Sequence, residues 1–131
     1  MDATLELHVA PMDTMHEEFL LLLTNMQSCA KEEFLPLFEQ MIAHTQEHFA
    51  FEEAIMNEYN FYDKHEHFSE HKNLLDEMHY FYEKGKKFPP FAKSYINEYA
   101  YEKFKRHVIN IDSQLAMFLK ERNITLEKPL S

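Results

Sequence analysis

Four stretches of the chain carry apolar residues at alternating spacings of four and three, and in each a histidine or a carboxylate interrupts the run. That spacing places one face of an α-helix along a buried seam. Seven polar residues fall in or beside the seams: His16, His48, Glu52, His67, His71, His107 and Asp112. Burying a polar group without a partner costs a few kcal/mol, so seven of them in one core need a common reason to be there. A metal centre is the simplest such reason.

The helical reading extends to the whole chain. A single Gly among many Glu, Leu, Lys, Met and Phe residues favours long helices, and the scarcity of Gly- and Asn-type hairpin turns argues against a sheet. The expected fold is all-α: an antiparallel up-down four-helix bundle with an extended N-terminal arm, its 131 residues fitting one domain, 1–131. The arm spans 1–11, where Leu5, Leu7 and Val9 alternate with Glu6 and His8, and Pro11 closes it. Helices are expected over about 13–30, 33–58, 64–85 and 91–121. Pro36 is tolerated in the first turn of the second, Gly85 caps the third, and Pro89-Pro90 separates the third from the fourth. The tail, 122–131, shows no periodicity and receives no element.

His16 shares its seam with Met12, Phe19, Leu23, Met26 and Ala30; His48 and Glu52 share theirs with Phe38, Met41, Thr45 and Ile55. His67 and His71 stand one turn apart, ahead of Leu74, Met78 and Phe81. The fourth seam runs Tyr101, Phe104, Val108, Ile111, Leu115, Phe118, which leaves His107 and Asp112 on its flanks, bordering the core.

The formal net charge of −10 disfavours nucleic acid and anionic membranes as partners, since both require a basic surface. Most of the carboxylates read as solvated surface. No basic N-terminal segment precedes an apolar run, and no stretch approaches the roughly 18 apolar residues that span a bilayer. A cytoplasmic protein without membrane insertion is expected. Cys29 is the only cysteine, so no intrachain disulfide can form, and in a reducing compartment the Asn123-Ile124-Thr125 sequon is incidental. The sequence identifies no protein partner, and a monomer or weak homo-oligomer is expected.

Whether the seven residues meet can be tested by counting. In an up-down bundle, residues equally far from the turn between their helices share a layer. His16 and His48 each lie about 16 residues from the turn near Glu32, Glu52 and His71 roughly 10 from the turn near Phe61, and His71 and His107 about 18 from Pro89. His67 and Asp112 are near-equidistant from the Pro89-Pro90 break. All four helices then deliver ligands to one layer.

Taken alone, a seam histidine such as His16 is the hydrogen-bonded histidine of an ordinary core. The set reverses that reading. His48 with Glu52 and His67 with His71 have i,i+4 spacing, which stacks two side chains on one face. His107 and Asp112 are five apart, about 140° around an α-helix, so one face cannot carry both, and Asp112 is nominated by the layer count and by lying within the apolar stretch Val108 to Leu115. Five imidazoles and two carboxylates exceed the four donors of a structural zinc, so two metals are implied. Imidazole and carboxylate without thiolate suit iron or manganese as well as zinc. No Glu has His three residues later and His-Glu-x-x-His is missing, which disfavours a ferritin-like centre and a zinc protease.

In chain order the stretches Met12-Asp13-Thr14-Met15-His16, His48-Phe49-Ala50-Phe51-Glu52-Glu53, His67 to His71 followed by Leu74, and His107-Val108-Ile109-Asn110-Ile111-Asp112 give a lone His, His-x-x-x-Glu, His-x-x-x-His and His-x-x-x-x-Asp. On these motifs, over about residues 12–120, the chain resembles the hemerythrins, and among them the single-domain bacterial forms. The resemblance implies a di-iron centre in which His67, His71 and His107 hold one iron and His16 and His48 the other. Glu52 and Asp112 would bridge the two beside an oxo or hydroxo group. It further implies a non-haem protein that reversibly binds O2 as a hydroperoxide at the open, two-histidine iron, for storage, delivery or sensing, and not an enzyme. The alternatives are a di-iron enzyme acting on peroxide, nitric oxide or O2, and an iron-responsive interaction module.

Phe49, Phe51, Ile55, Ile111 and Leu115 are the expected pocket residues of such a site. The chain departs from the bacterial forms in lacking Trp and in carrying His44 where the family often has Tyr. His44 is expected to be a partly exposed histidine, with a proton path as the alternative. His8, His65 and His79 match no ligand motif and are expected at the surface.

Overall fold

Prolines and left-handed asparagines mark several of the element boundaries in the computed structural model, which describes residues 5–126. The outer part of the expected arm, 1–4, and the end of the tail, 127–131, lie outside the described residues. Leu5 and Leu7 are buried while Glu6 and His8 face solvent, as their alternation requires. The Leu7 amide donates to Asp13 Oδ1 at 2.8 Å, tying this segment to helix α1, Ala10–Ser28. α1 thus begins ahead of the expected residue 13, and Pro11 opens the helix instead of closing the arm, because its fixed φ suits a first turn. The helix stops at Ser28, where Cys29 turns extended, and the expected seam residue Ala30 is exposed.

A short 3₁₀ turn, Lys31–Glu33, leads into α2, Phe34–Glu58, with Pro36 in its first turn. Asn60 ends this helix with a φ of 50°, a left-handed conformation that Asn tolerates. Phe61 N–H then donates to Met56 O at 2.9 Å and Asn60 N–H to Asn57 O at 3.4 Å, the paired bonds of a Schellman cap. Asn123, with a φ of 55°, closes the last helix in the same way, and the following Ile124 and Leu126 pack against the core.

Helix α3 covers Lys64–Lys87, and the chain turns at Phe88 into α4, Pro89–Ser94, so the two prolines begin the fourth rod and do not lie ahead of it. Beyond α4 the rod is not a uniform helix. It continues through a π segment, Tyr95–Tyr99, then α5, Ala100–His107, a second π segment, Val108–Asp112, and α6, Ser113–Glu121. α1 packs on α2, α2 on α3 and α3 on α4, and the first π segment returns to α1, which closes a helical bundle. No helix among the described residues is long and apolar enough to cross a membrane.

Gly85 does not cap α3. It is buried inside the helix, and a Cβ built there would stand 2.5 Å from Ala92 Cβ, so the residue serves the close approach of α3 to α4. Ala92 is itself completely buried and has no room to yield. Gly85→Ala is therefore expected to lower stability by about 1–3 kcal/mol although Ala is the better helix former. Chemical denaturation measures this, and an unchanged or raised midpoint would contradict the contact.

Candidate metal centre

All seven residues singled out from the sequence converge in one buried layer. His16 comes from α1, His48 and Glu52 from α2, His67 and His71 from α3, His107 from the end of α5, and Asp112 from the end of the second π segment. None is more than 5% exposed, and His16, Glu52 and Asp112 are at 0%. The i,i+4 pairs on α2 and α3 stack one turn apart, as an α-helix requires. Asp112 needed more than that. The expectation that it would flank the core assumed α-helical geometry, whereas bonds of the i→i+5 type across Val108–Asp112 lengthen the turn and bring residues five apart onto one face.

The two carboxylates divide their oxygens. Glu52 Oε1 lies 3.2 Å from His67 Nε2 and 3.1 Å from His71 Nε2, while its Oε2 lies 2.6 Å from His48 Nε2. Asp112 Oδ1 lies 3.1 Å from His67 Nε2 and 3.0 Å from His107 Nε2, while its Oδ2 lies 2.9 Å from His16 Nε2. Two groups result, each able to hold a metal ion: Glu52, His67, His71, His107 and Asp112, and His16, His48, Glu52 and Asp112. Within each, one ligand atom per residue lies within 4.8 Å of the others.

A hydrogen-bond network does not account for this arrangement. Among the described residues, His67 Nε2, His107 Nε2 and Asp112 Oδ1 are buried and have no hydrogen-bond partner, although each nitrogen lies within 3.2 Å of a carboxylate oxygen. Proximity without alignment means these nitrogens are not directed as donors to the oxygens beside them. Coordination of a cation would satisfy all three atoms at once, so the residues fit a metal pair.

Among the described residues, a carboxylate holds the outer nitrogen of one of the five histidines. His71 Nδ1 donates to Glu53 Oε2 at 2.8 Å, which fixes the tautomer that leaves Nε2 free to ligate. Sequence reasoning gave Glu53 no role. The signal available was its position beside Glu52 in the same layer as His71. His44 is half-buried, and its Nε2 lies 3.2 Å from the Met15 carbonyl, with Glu18 3.5 Å from Nδ1. It thereby fastens α2 to α1 next to His16. His8, His65 and His79 are exposed and take no part.

The walls are apolar. Phe49 stacks on the His71 ring at 3.7 Å and 5°, and Phe104 meets His16 edge-on at 5.5 Å. A small hollow, in which the centre of a water-sized sphere can range over about 20 Å³, adjoins His48, His107 and Asp112. Of the expected pocket residues only Phe49 lines it. Ile55 and Leu115 are buried in the general core, Phe51 is half-buried, and Ile111 faces an outer groove. Tyr95, Thr45, Phe19 and Phe104 take their places, and Thr45 directs its hydroxyl to the Met41 carbonyl at 2.8 Å.

Electrostatics bind the cluster tightly. Burial and the Asp112 charge raise the pKa of Glu52, but His48 and His67 outweigh them and hold it well below the ordinary carboxylate value. Burial likewise opposes ionisation of Asp112, and His107, His16 and His67 overcome it. For His67, burial favours the neutral ring, yet the Asp112 and Glu52 carboxylates raise its pKa from 6.5 to about 9.

Compared with protein-family models, curated proteins and solved structures, the chain matches none.

Asp112→Ala is expected to remove a shared donor and weaken retention of the second metal, while His65→Ala leaves metal content unchanged; elemental analysis after dialysis against a chelator distinguishes them. The pH dependence follows from His67 in the metal-free chain. A pKa raised on folding adds stability that is complete below 6.5 and is lost as pH rises through about 9. The metal-free unfolding midpoint should fall across that window, and metal affinity should tighten over the same range as the competing proton leaves. Unfolding titrations at pH 6 to 10, with and without metal, test both statements; a metal-free midpoint flat with pH would refute the assignment.

Proposed function

We propose that the chain is a non-haem di-iron protein of the hemerythrin type that reversibly binds O2, for storage, delivery or sensing. The observation that carries this reading is the unequal division of donors around two shared carboxylates. Glu52 and Asp112 face three histidines with one oxygen each and two histidines with the other. One position thus has five protein donors and the other four, so a small ligand is more easily admitted at the second. The seven residues would hold two irons, whose redox chemistry would be the source of the two electrons that reversible O2 binding requires.

The protein's own groups have separate tasks in this scheme. Glu52 and Asp112 would offset the charge of bound cations with two negative charges, which would keep the low-dielectric interior closer to neutral. Glu53 fixes the His71 ring, and Phe49 and Phe104 keep bulk water from the layer. Successive contacts of α1 with α2, α2 with α3 and α3 with α4 support the up-down order that this reading requires. A cytoplasmic setting, where iron stays ferrous and Cys29 unpaired, belongs to the same proposal.

An enzymatic alternative draws on one feature, the Tyr95 residue at the cavity wall, whose hydroxyl could hydrogen-bond a reacting ligand. Iron-loaded protein, reduced without air and then exposed to it, separates the readings. Reversible O2 binding predicts an O2-dependent visible absorption band that disappears on degassing. Absence of the band overturns the proposal, and a band that decays irreversibly with product formation favours the enzyme.

A further inference from the structure

The inner cavity and an outer groove share one wall. The groove, about 340 Å³, lies between α3 and the fourth rod and is bordered by Asn73, Arg106 and Asn110. Leu74, Lys103 and His107 border both hollows. Across this wall Lys103 Nζ on α5 donates to Glu77 Oε2 on α3 at 2.6 Å. Lys103 is 41% exposed and Glu77 25%, so the pair stands at the boundary between solvent and core. Its inner side is drier: Glu77 Oε1 is buried and has no hydrogen-bond partner. Tyr95, which lines the cavity, is close enough to Glu77 that burial and this carboxylate together keep its phenol protonated well above the ordinary range.

The other walls resist opening. Phe19 stacks on Phe104 at 4.5 Å, Phe49 on His71 at 3.7 Å, and His107 belongs to the five-donor group. Displacing any of them uncovers buried aromatic surface or a metal-binding residue. Parting Lys103 from Glu77 only returns two half-hydrated charges to water, and the flexible lysine stem can swing without moving a helix. Behind the pair, Leu74 is only half-buried and needs no more than a change of rotamer.

We propose that the Lys103–Glu77 pair, seated over Leu74, is the gate through which small uncharged molecules reach the metal-facing cavity, and that it sets the rate of their passage in both directions. The ligand's identity rests on the di-iron reading; the gate is a property of the cavity and its wall.

Xenon tests the gate directly, because it enters dry apolar cavities and its exchange with solvent is visible in 129Xe NMR. The 131-residue chain loaded with zinc keeps the donor groups filled and diamagnetic, and zinc takes no part in O2 chemistry. Failure of the air-exposure experiment and failure of this one are thus independent. Lys103→Ala and Glu77→Gln are each expected to raise the rates of xenon uptake and release together by about two- to fivefold, the range set by losing one half-exposed ion pair, with occupancy unchanged. Lys103→Arg, which keeps the pair, should stay near the unmodified rates, and Leu74→Trp should slow both. No xenon in the cavity of the unmodified chain, or equal exchange in all four variants, would overturn the proposal.

Discussion

Two carboxylates lie at 0% exposure inside an apolar bundle, and each divides its oxygens between two groups of imidazoles. The rest of the structure depends on that arrangement. A buried carboxylate is tolerated only when surrounding charge and coordination replace the water it has lost. Each carboxylate receives one histidine from its own rod, His48 for Glu52 and His107 for Asp112, and the others, His16, His67 and His71, must be brought to the same height by the neighbouring helices. Their location makes the layer the point where α1, α2, α3 and the fourth rod are held in register. A metal bound there would be coupled to folding for the same reason, since the donor groups assemble only in the folded chain.

The fourth rod is where regular geometry yields to this requirement. Its two π segments, Tyr95–Tyr99 and Val108–Asp112, change the phase of the helix twice. The second turns Asp112 inward beside His107. The first buries Tyr95 and Ile96 and stacks the tyrosine on Phe81 at 4.5 Å, so that its side chain lines the cavity. π segments are rare because their hydrogen bonding is less favourable than that of the α-helix, and they persist where a functional side chain must be re-aimed.

Polarity is graded outward from the layer. Next to the metal-binding groups stand Phe49 and Phe104; beyond them come the oriented contacts, Glu53 on His71 and His44 on the Met15 carbonyl; at the boundary lies the Lys103–Glu77 pair. Apolar inner walls suit a small uncharged ligand. The half-exposed ion pair supplies an opening that costs little, which a fully aromatic wall could not.

The amino-acid sequence alone determined the helical class, the i,i+4 pairs on α2 and α3, and the membership of the layer, because these follow from helical repeat and from distance to a turn. It also located Pro36 and the solvent-facing histidines correctly. Tertiary structure decided what depends on residues remote in sequence. Gly85 reads as a cap until Ala92 is seen to occupy the space of its missing Cβ. Glu53 has no role in the sequence reading until His71 meets it from the next helix. Asp112 stands on the wrong face of any α-helix that carries His107, and only the π segment, an irregularity without a periodic signature in the chain, turns it toward the core. Local periodicity fixes which residues can share a height in the bundle; which of them touch is fixed by how the rods pack, and that information resides in no single stretch of sequence.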